Sequence, residues 1–286
     1  GITFDGGNSQ YCLSEASRQS LISTHNWTIT DSGEGCDISD YFITTWKTDN
    51  PGTSNDTSIT IPTFGGGYNY EVSWKNDGNW EAGFTSDAIH DYEVAGTYTV
   101  AIRGAFPRIY FNNTGDKDKI LSIEQWGANT WSSMNSAFKG CANLVGNASD
   151  TPDLSVVTDM TAMFQGASSF NQDIGNWNVS NVTQMGGMFN NASSFNQTLG
   201  NWNITNVNDM TNMFTNVTLS NENYDNTLIG WATDSSGIAG DDIDDIPSNI
   251  NFSGGNSQYC LSEGKRNILE TTYNWTIIDG GEGCDA

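Results

Sequence analysis

"MFQGASSFNQDIGNWNVSNVTQMGGMFNNASSFNQTLGNWNITNVNDMTNMF", residues 163–214, states one pattern twice and begins it a third time. Met160, Met185 and Met210 stand 25 apart, and so do Phe164, Phe189 and Phe214. At the same step Phe170 pairs with Phe195, Ile174 with Leu199, Trp177 with Trp202, and Val182 with Val207. Between these apolar positions lie mostly Asn, Ser, Thr, Gly and Asp. A period of about 20–50 residues marks a stacked array, in which each unit buries the apolar face of its neighbour. The apolar positions are too widely spaced for a continuous helix or a coiled coil. The spacing therefore predicts one continuous core from Met160, Phe164, Phe170, Trp177, Met185, Phe189, Phe195, Trp202, Met210 and Phe214. With a step of 26, Trp131, Met134, Ala137, Phe138, Cys141 and Leu144 fall under Val157, Met160, Met163, Phe164, Ala167 and Phe170. Cys141 thus takes a core position and reads as a small buried thiol, not a reactive one.

A second, longer repeat frames the first. "ITFDGGNSQYCLSE" from Ile2 returns as "INFSGGNSQYCLSE" from Ile250, and "NWTITDSGEGCD" from Asn26 returns as "NWTIIDGGEGCD" from Asn274, both offset by 248. The chain reads as one long unit preceded by the tail of another, a window on a longer tandem array. Of the five cysteines, Cys12 and Cys36 are 24 apart, as are Cys260 and Cys284. Duplicated spacing predicts a structural disulfide in each copy, and with it an oxidising compartment. The rival, zinc, needs four ligands, and no Cys or His cluster supplies them.

The net charge of −24 argues against nucleic acid and against an anionic membrane surface. No signal peptide, transmembrane run or lipidation motif is present, so direct membrane insertion is not expected and export is inferred from the cysteines. From about Tyr41 to Phe111 short alternating runs ("SITIP", "YNYEVSW", "GTYTVAIRG", "RIYF") are broken by Gly, Pro, Asn and Asp, which reads as an antiparallel β-sandwich. "KILSIEQWG" from Lys119 follows as an opening edge strand for the array. "NYDNTLIGWA" has helical spacing at Tyr224, Leu228 and Trp231, and "CLSEGKRNILETTYNW" forms a second helix between strands at "NINF" and "WTII". These elements would close the last coil.

The coils "SFNQDIGNWNVSNVTQMGGMF" resemble the BspA-like leucine-rich-repeat surface proteins, over about Gln125 to the C-terminus. "YNYEVSWKNDGNW" followed by "IHDYEVAGTYTVAIRG" resembles a polycystic-kidney-disease (PKD)-type immunoglobulin-like domain. It departs from that family at Trp74-Lys75-Asn76-Asp77-Gly78, in place of a Trp-Gly-Asp-Gly-like turn, and at Asp91 between His90 and Tyr92. The expected fold class is mostly β with some α: an Ig/PKD-like β-sandwich, then a short leucine-rich-repeat-like solenoid, with disulfide-bonded α/β capping modules. The expected division is a capping module at 1–37, a sandwich at 38–115, coils at 116–220 and a C-terminal cap at 221–286.

The resemblances imply a secreted or cell-surface protein for adhesion, without enzymatic activity. The residues supply no catalytic motif. His25 is replaced by Tyr273 in the second copy, and His90 precedes a strand where a structural hydrogen bond is the plainer role. "GGGYNY" from Gly65 does not continue as a phosphate loop. Asp241, Asp242, Asp244 and Asp245 form an acidic loop that could offer oxygen ligands to calcium, but without EF-hand spacing; a solvated loop is the simpler reading. Asp77 is a weaker candidate. No cofactor is required, and calcium is the one considered. In-register asparagines such as Asn178 with Asn203 and Asn181 with Asn206 suit hydrogen bonding to turning backbone. The sharper alternative is an ordered polar array for carbohydrate or ice. The expected partners are neighbouring repeat units of the same or like chains, surface glycans, and host or matrix proteins. The rival functions are a carbohydrate-binding module of a polysaccharide-use system and a structural spacer or filament protomer.

Overall fold

The computed structural model describes residues 1–7, 15–31, 38–233 and 246–284. Cys12 and Cys36 and the four loop aspartates Asp241, Asp242, Asp244 and Asp245 lie outside these residues. The chain opens with a small module in which β1 (Thr3–Asp5) and β2 (Thr28–Thr30) pair in parallel, joined by helix α1 (Glu15–His25). Parallel strands need such a crossover, because a tight turn reverses direction. Arg18 Nε donates to Asp31 Oδ2 at 2.9 Å and ties the helix to the end of β2.

A 3-10 turn, Ile38–Asp40, leads into the main sheet. Its strands are β3 (Phe42–Lys47), β5 (Asn69–Ser73), β6 (Glu81–Phe84), β8 (Thr97–Ala105), β9 (Ile120–Gln125) and β10 (Val145–Gly146). They lie in the order β10-β9-β3-β8-β5-β6. Two further strands, β4 (Ser58–Ile61) and β7 (Ala88–Asp91), pair antiparallel with each other. β3 is central because it is Thr- and aromatic-rich and buried along most of its length; Phe42 and Trp46 point to one side, 1% and 0% exposed.

This arrangement corrects the expected fold class in two respects. The six-stranded sheet does not stop where the sandwich was expected to end. β9, read from sequence as an edge strand of the array, is interior: it pairs antiparallel with β3 and parallel with β10. Nor is there a leucine-rich-repeat-like solenoid with a strand per coil. Between residues 147 and 220 no named strand occurs, only turns and isolated bridges such as Asp159 with Gln184 and Gln184 with Asp209.

The physical reason lies in the backbone donors. The N–H groups of Met160, Ala162, Phe164 and Gly166 donate to the carbonyls of Gln184, Gly186, Met188 and Asn190 in the next repeat. The alternate groups, on Met163, Gln165 and Ala167, donate back three residues to Met160, Ala162 and Phe164. Half of the donors are spent within the turn, so no continuous ladder forms. Each tight turn needs left-handed backbone, found at Ser136, Ala162, Gly187 and Asn212 and again at Gly140, Gly166, Asn191 and Asn216. Gly and Asn adopt it cheaply.

The apolar side chains nevertheless line up. Phe138, Phe164, Phe189 and Phe214 form a column with successive ring centroids 5.8, 5.9 and 5.4 Å apart and planes 9–13° from parallel. Phe170 and Phe195 pack against it at 3.9 and 4.0 Å. Trp177 and Trp202 are 3% exposed, and Met160, Met185 and Met210 are fully buried. Cys141 is a buried free thiol in the same core. Phe111 carries the column on to Trp46, so sheet and repeats share one apolar interior.

Past the last repeat, helix α2 (Asn221–Trp231) starts at Ser220, whose hydroxyl accepts the N–H of Asn223. A second small module follows, with β11 (Asn251–Ser253) and β12 (Thr276–Ile278) in parallel and α3 (Glu263–Thr271) between them. Its strand β11 covers the end of the stack. The Phe214 N–H donates to the Ser253 carbonyl at 3.0 Å, and Phe252 meets Phe214 edge to face at 6.0 Å.

Candidate functional site

The candidate site is an open aromatic platform beside the sheet. Pro62–Phe64 and Arg108–Tyr110 run past each other, and the Tyr110 N–H donates to the Pro62 carbonyl at 3.3 Å. The phenol of Tyr68, 5% exposed, clasps both segments: it accepts the Phe64 N–H at 2.9 Å and donates to the Arg108 carbonyl at 2.9 Å. Asp87 adds a brace by accepting the N–H and hydroxyl of Thr63, both at 2.7 Å. Held this way, Phe64 and Tyr110 lie 4.5 Å apart with planes 37° from parallel. Phe64 is 56% exposed. The Arg108 guanidinium sits 4.4 Å from the Tyr110 ring and 5.0 Å from Phe64, and its Nη2 donates to the Asn135 carbonyl at 2.7 Å. Burial pushes the Arg108 pKa below its usual value, against the opposing pull of Tyr110, Tyr68 and Asp159. Such a platform offers a preorganised π-face with an adjacent cation, suited to stacking against sugar rings or apolar protein side chains.

A second aromatic-cation pair stands on the other side of the sheet. Arg103 lies 4.2 Å over the Trp80 ring and pairs with Glu71, and Trp80 meets Tyr41 edge to face at 4.9 Å. The adjoining cleft is lined by Asp40, Asn69, Gly104 and Asn129.

The residues singled out from sequence are placed as follows. The ten repeat positions are interior, although Trp202 also lines a cleft shared with Asn203 and Trp231. Cys260 and Cys284 form a disulfide. The four loop aspartates lie outside the described residues, and among the described residues no group of three His, Cys, Asp or Glu is placed to hold a metal. Asp77 is occupied within its own turn, accepting the Asn79 N–H at 3.1 Å. His90 stacks on Trp74 at 4.7 Å and meets Tyr92 edge to face, and burial lowers its pKa. The asparagines serve the backbone. Asn181 and Asn206 each donate at 2.7 Å to the carbonyl of Ser155 and Ser180 in the preceding repeat. Asn178 and Asn203 each accept from the residue two places on.

Sequence reading missed the platform itself. Phe64 and Tyr110 are 46 positions apart, and Gly65-Gly66-Gly67 draws attention first as a candidate phosphate loop. An exposed Phe beside three glycines was the available signal.

Residues 109–236, a little under half of the chain, match the family described as "Mycoplasma protein of unknown function, DUF285". Comparison with curated proteins and with solved structures gives no match. Among the described residues no helix is long and apolar enough to cross a membrane.

Proposed function

We propose that the chain is a repeat unit of an extracellular, tandem-array surface protein that acts in adhesion to cell-surface or matrix partners, without catalytic chemistry. The observation that carries this reading is the duplicated module. Its Cys260–Cys284 bridge belongs to an oxidising compartment, and its second copy closes a stack of polar-faced repeats. Support also comes from the match at 109–236 taken with the resemblance of "SFNQDIGNWNVSNVTQMGGMF" to BspA-like surface proteins. Repetition of such units supplies reach and multivalency without tight single contacts. The acidic surface keeps a long array soluble and away from anionic lipid.

A second reading, a carbohydrate-binding module of a polysaccharide-use system, is favoured by the Phe64–Tyr110 platform alone. One experiment separates the two. The whole chain, beside Phe64→Ser, is applied to immobilised matrix proteins and to a panel of polysaccharides. Saturable binding to protein surfaces supports adhesion. Binding restricted to one polysaccharide class, and lost in Phe64→Ser, replaces adhesion with the carbohydrate reading. Absence of saturable binding on every surface removes both.

A further inference from the structure

The chain holds two copies of one module in two different surroundings. β1 and β2 pair in the register of β11 and β12, with Thr3 opposite Thr28 and Asn251 opposite Thr276. The Arg18–Asp31 ion pair repeats as Arg266–Asp279, each at 2.9 Å. In the second copy Ile250 and Phe252 are 1% and 2% exposed, because they face the end of the repeat stack. In the first copy the same positions, Ile2 and Phe4, are 55% and 52% exposed.

The backbone tells the same story. A Cβ on Gly255 would lie 2.1 Å from the Phe214 carbonyl oxygen, because the last repeat approaches that closely. Its counterpart Gly7 has the same left-handed φ, yet nothing lies within 4 Å of its Cβ position. The first copy thus presents the face, the apolar pair and the open slot that the second copy uses, without the occupant.

We propose that the Ile2–Phe4 face of the first module is a docking site for the open end of a repeat stack of the kind that ends at Phe214, supplied by a preceding unit of the same polypeptide. A second copy of this chain does not fit as donor, because its own β11 already covers that end. The second module follows its stack directly along the chain, so a preceding unit would present its stack in the same way. The occupant's chemistry is read from Phe214 and Trp231, whose rings meet Phe252 at 6.0 and 5.4 Å, and from the Phe214 N–H, which β1 would receive on the Asp5 carbonyl as β11 does on Ser253. Only the source of the stack rests on the tandem reading proposed above; the competence of the face does not.

The test transplants the module. In the full chain, residues 249–286 are replaced by residues 1–38, the equivalent stretch at the 248 offset. The chimera is expected to unfold in one transition within about 4 °C of the native chain. Phe4→Asp in the transplanted copy is expected to lower that transition, and Phe4→Asp in the original first copy to leave it unchanged. A chimera that fails to fold, or that melts with a chain ending at residue 248, overturns the proposal. So does a transplanted Phe4→Asp without effect. No ligand enters this readout, so its failure is distinct from failure of the adhesion reading, which only the binding panel measures.

Discussion

The indole N–H of Trp231 donates to the Leu199 carbonyl at 2.9 Å, the bond that Trp202 makes to Ile174 one repeat earlier. Leu199 and Ile174 are equivalent positions, but Trp231 comes from helix α2 and not from a turn. The helix therefore ends the stack by imitating the next repeat. It gives the Leu199 carbonyl, which already accepts the Trp202 N–H, the indole donor that the equivalent Ile174 carbonyl has one repeat earlier, and β11 then covers what remains.

Removal of either indole opens a cavity in this interior. Trp202→Ala and Trp231→Ala are each expected to cost about 3–5 kcal/mol in denaturant unfolding. Trp202→Phe keeps most of the packing but removes the indole donor, leaving the Ile174 carbonyl with the Trp177 N–H alone, at about 0.5–1.5 kcal/mol. A loss below about 1 kcal/mol for the alanine variants would place these side chains outside the cooperative core.

How much of this was legible follows from what each signal encodes. The 25-residue step reports which side chains recur on one face, and Phe164, Phe189 and Phe214 do stack in register. The step says nothing about how the backbone donors are shared, so it could not distinguish a strand from a ribbon of turns. That decision rests on left-handed residues, and Ala162 and Ser136 carry no sequence mark of it, although Gly166 and Asn191 do. β9 was read by its position next to the repeats, but its partner is β3, some 75 residues earlier, and long-range pairing leaves no local trace. Helix α2 and the two strands and helix of the second module were readable because their apolar spacing and turn residues are local. The candidate site was not readable from either repeat, since Phe64 and Tyr110 meet only through the clasp of Tyr68.

Lys119 is fully buried, and its ammonium donates to the carbonyls of Ser54, Asn55 and Ser58 at 3.1, 2.7 and 3.0 Å and to the Ser54 hydroxyl at 2.8 Å. Asp116 accepts the N–H groups of Thr53 and Ser54 from the same loop and of Thr60 from β4. Lys119→Met removes the ammonium from a fully buried polar cage, in which the Ser58 and Asn55 carbonyls keep the Ser54 hydroxyl and the Ser58 N–H, and is expected to destabilise by about 1–3 kcal/mol. Lys119→Arg is not expected to rescue it, because a planar guanidinium cannot replace a compact ammonium in this cage. Thermal unfolding of the two variants decides the point; wild-type stability in either would show that the cage is dispensable.

Asp225 accepts the N–H groups of Cys260, Leu261 and Ser262 at 3.0, 2.8 and 3.0 Å, together with the Ser262 hydroxyl. Burial pushes its carboxyl upward, but these hydrogen bonds outweigh burial and hold the pKa below the usual carboxylate value. A folded-state pKa below the unfolded one gives stability that is complete above the unfolded value of about 3.9 and is lost as pH falls through the folded value. The native chain should therefore lose more stability than Asp225→Asn on acidification below about pH 4. Melting temperatures followed from neutral pH downward check this; parallel curves for the two proteins would rule out an ionised clamp.

The Cys260–Cys284 bridge closes a span of 24 residues. Its reduction is expected to cost about 3 kcal/mol by loop entropy. Cys141 is buried and burial pushes its thiol pKa well up, so it should resist alkylation until the chain unfolds. Denaturant unfolding with and without reductant reads the first, and alkylation followed by non-reducing peptide mapping reads the second and also tests the Cys12–Cys36 pairing expected from sequence. Cys141 found in a disulfide would contradict the core assignment.

An extracellular surface location is probed by labelling intact producing cells with an amine reagent that does not cross membranes. Lys75 is exposed in a turn of the sheet region and should be modified readily. Label is expected on this lysine before lysis. Label that appears only after lysis would contradict it.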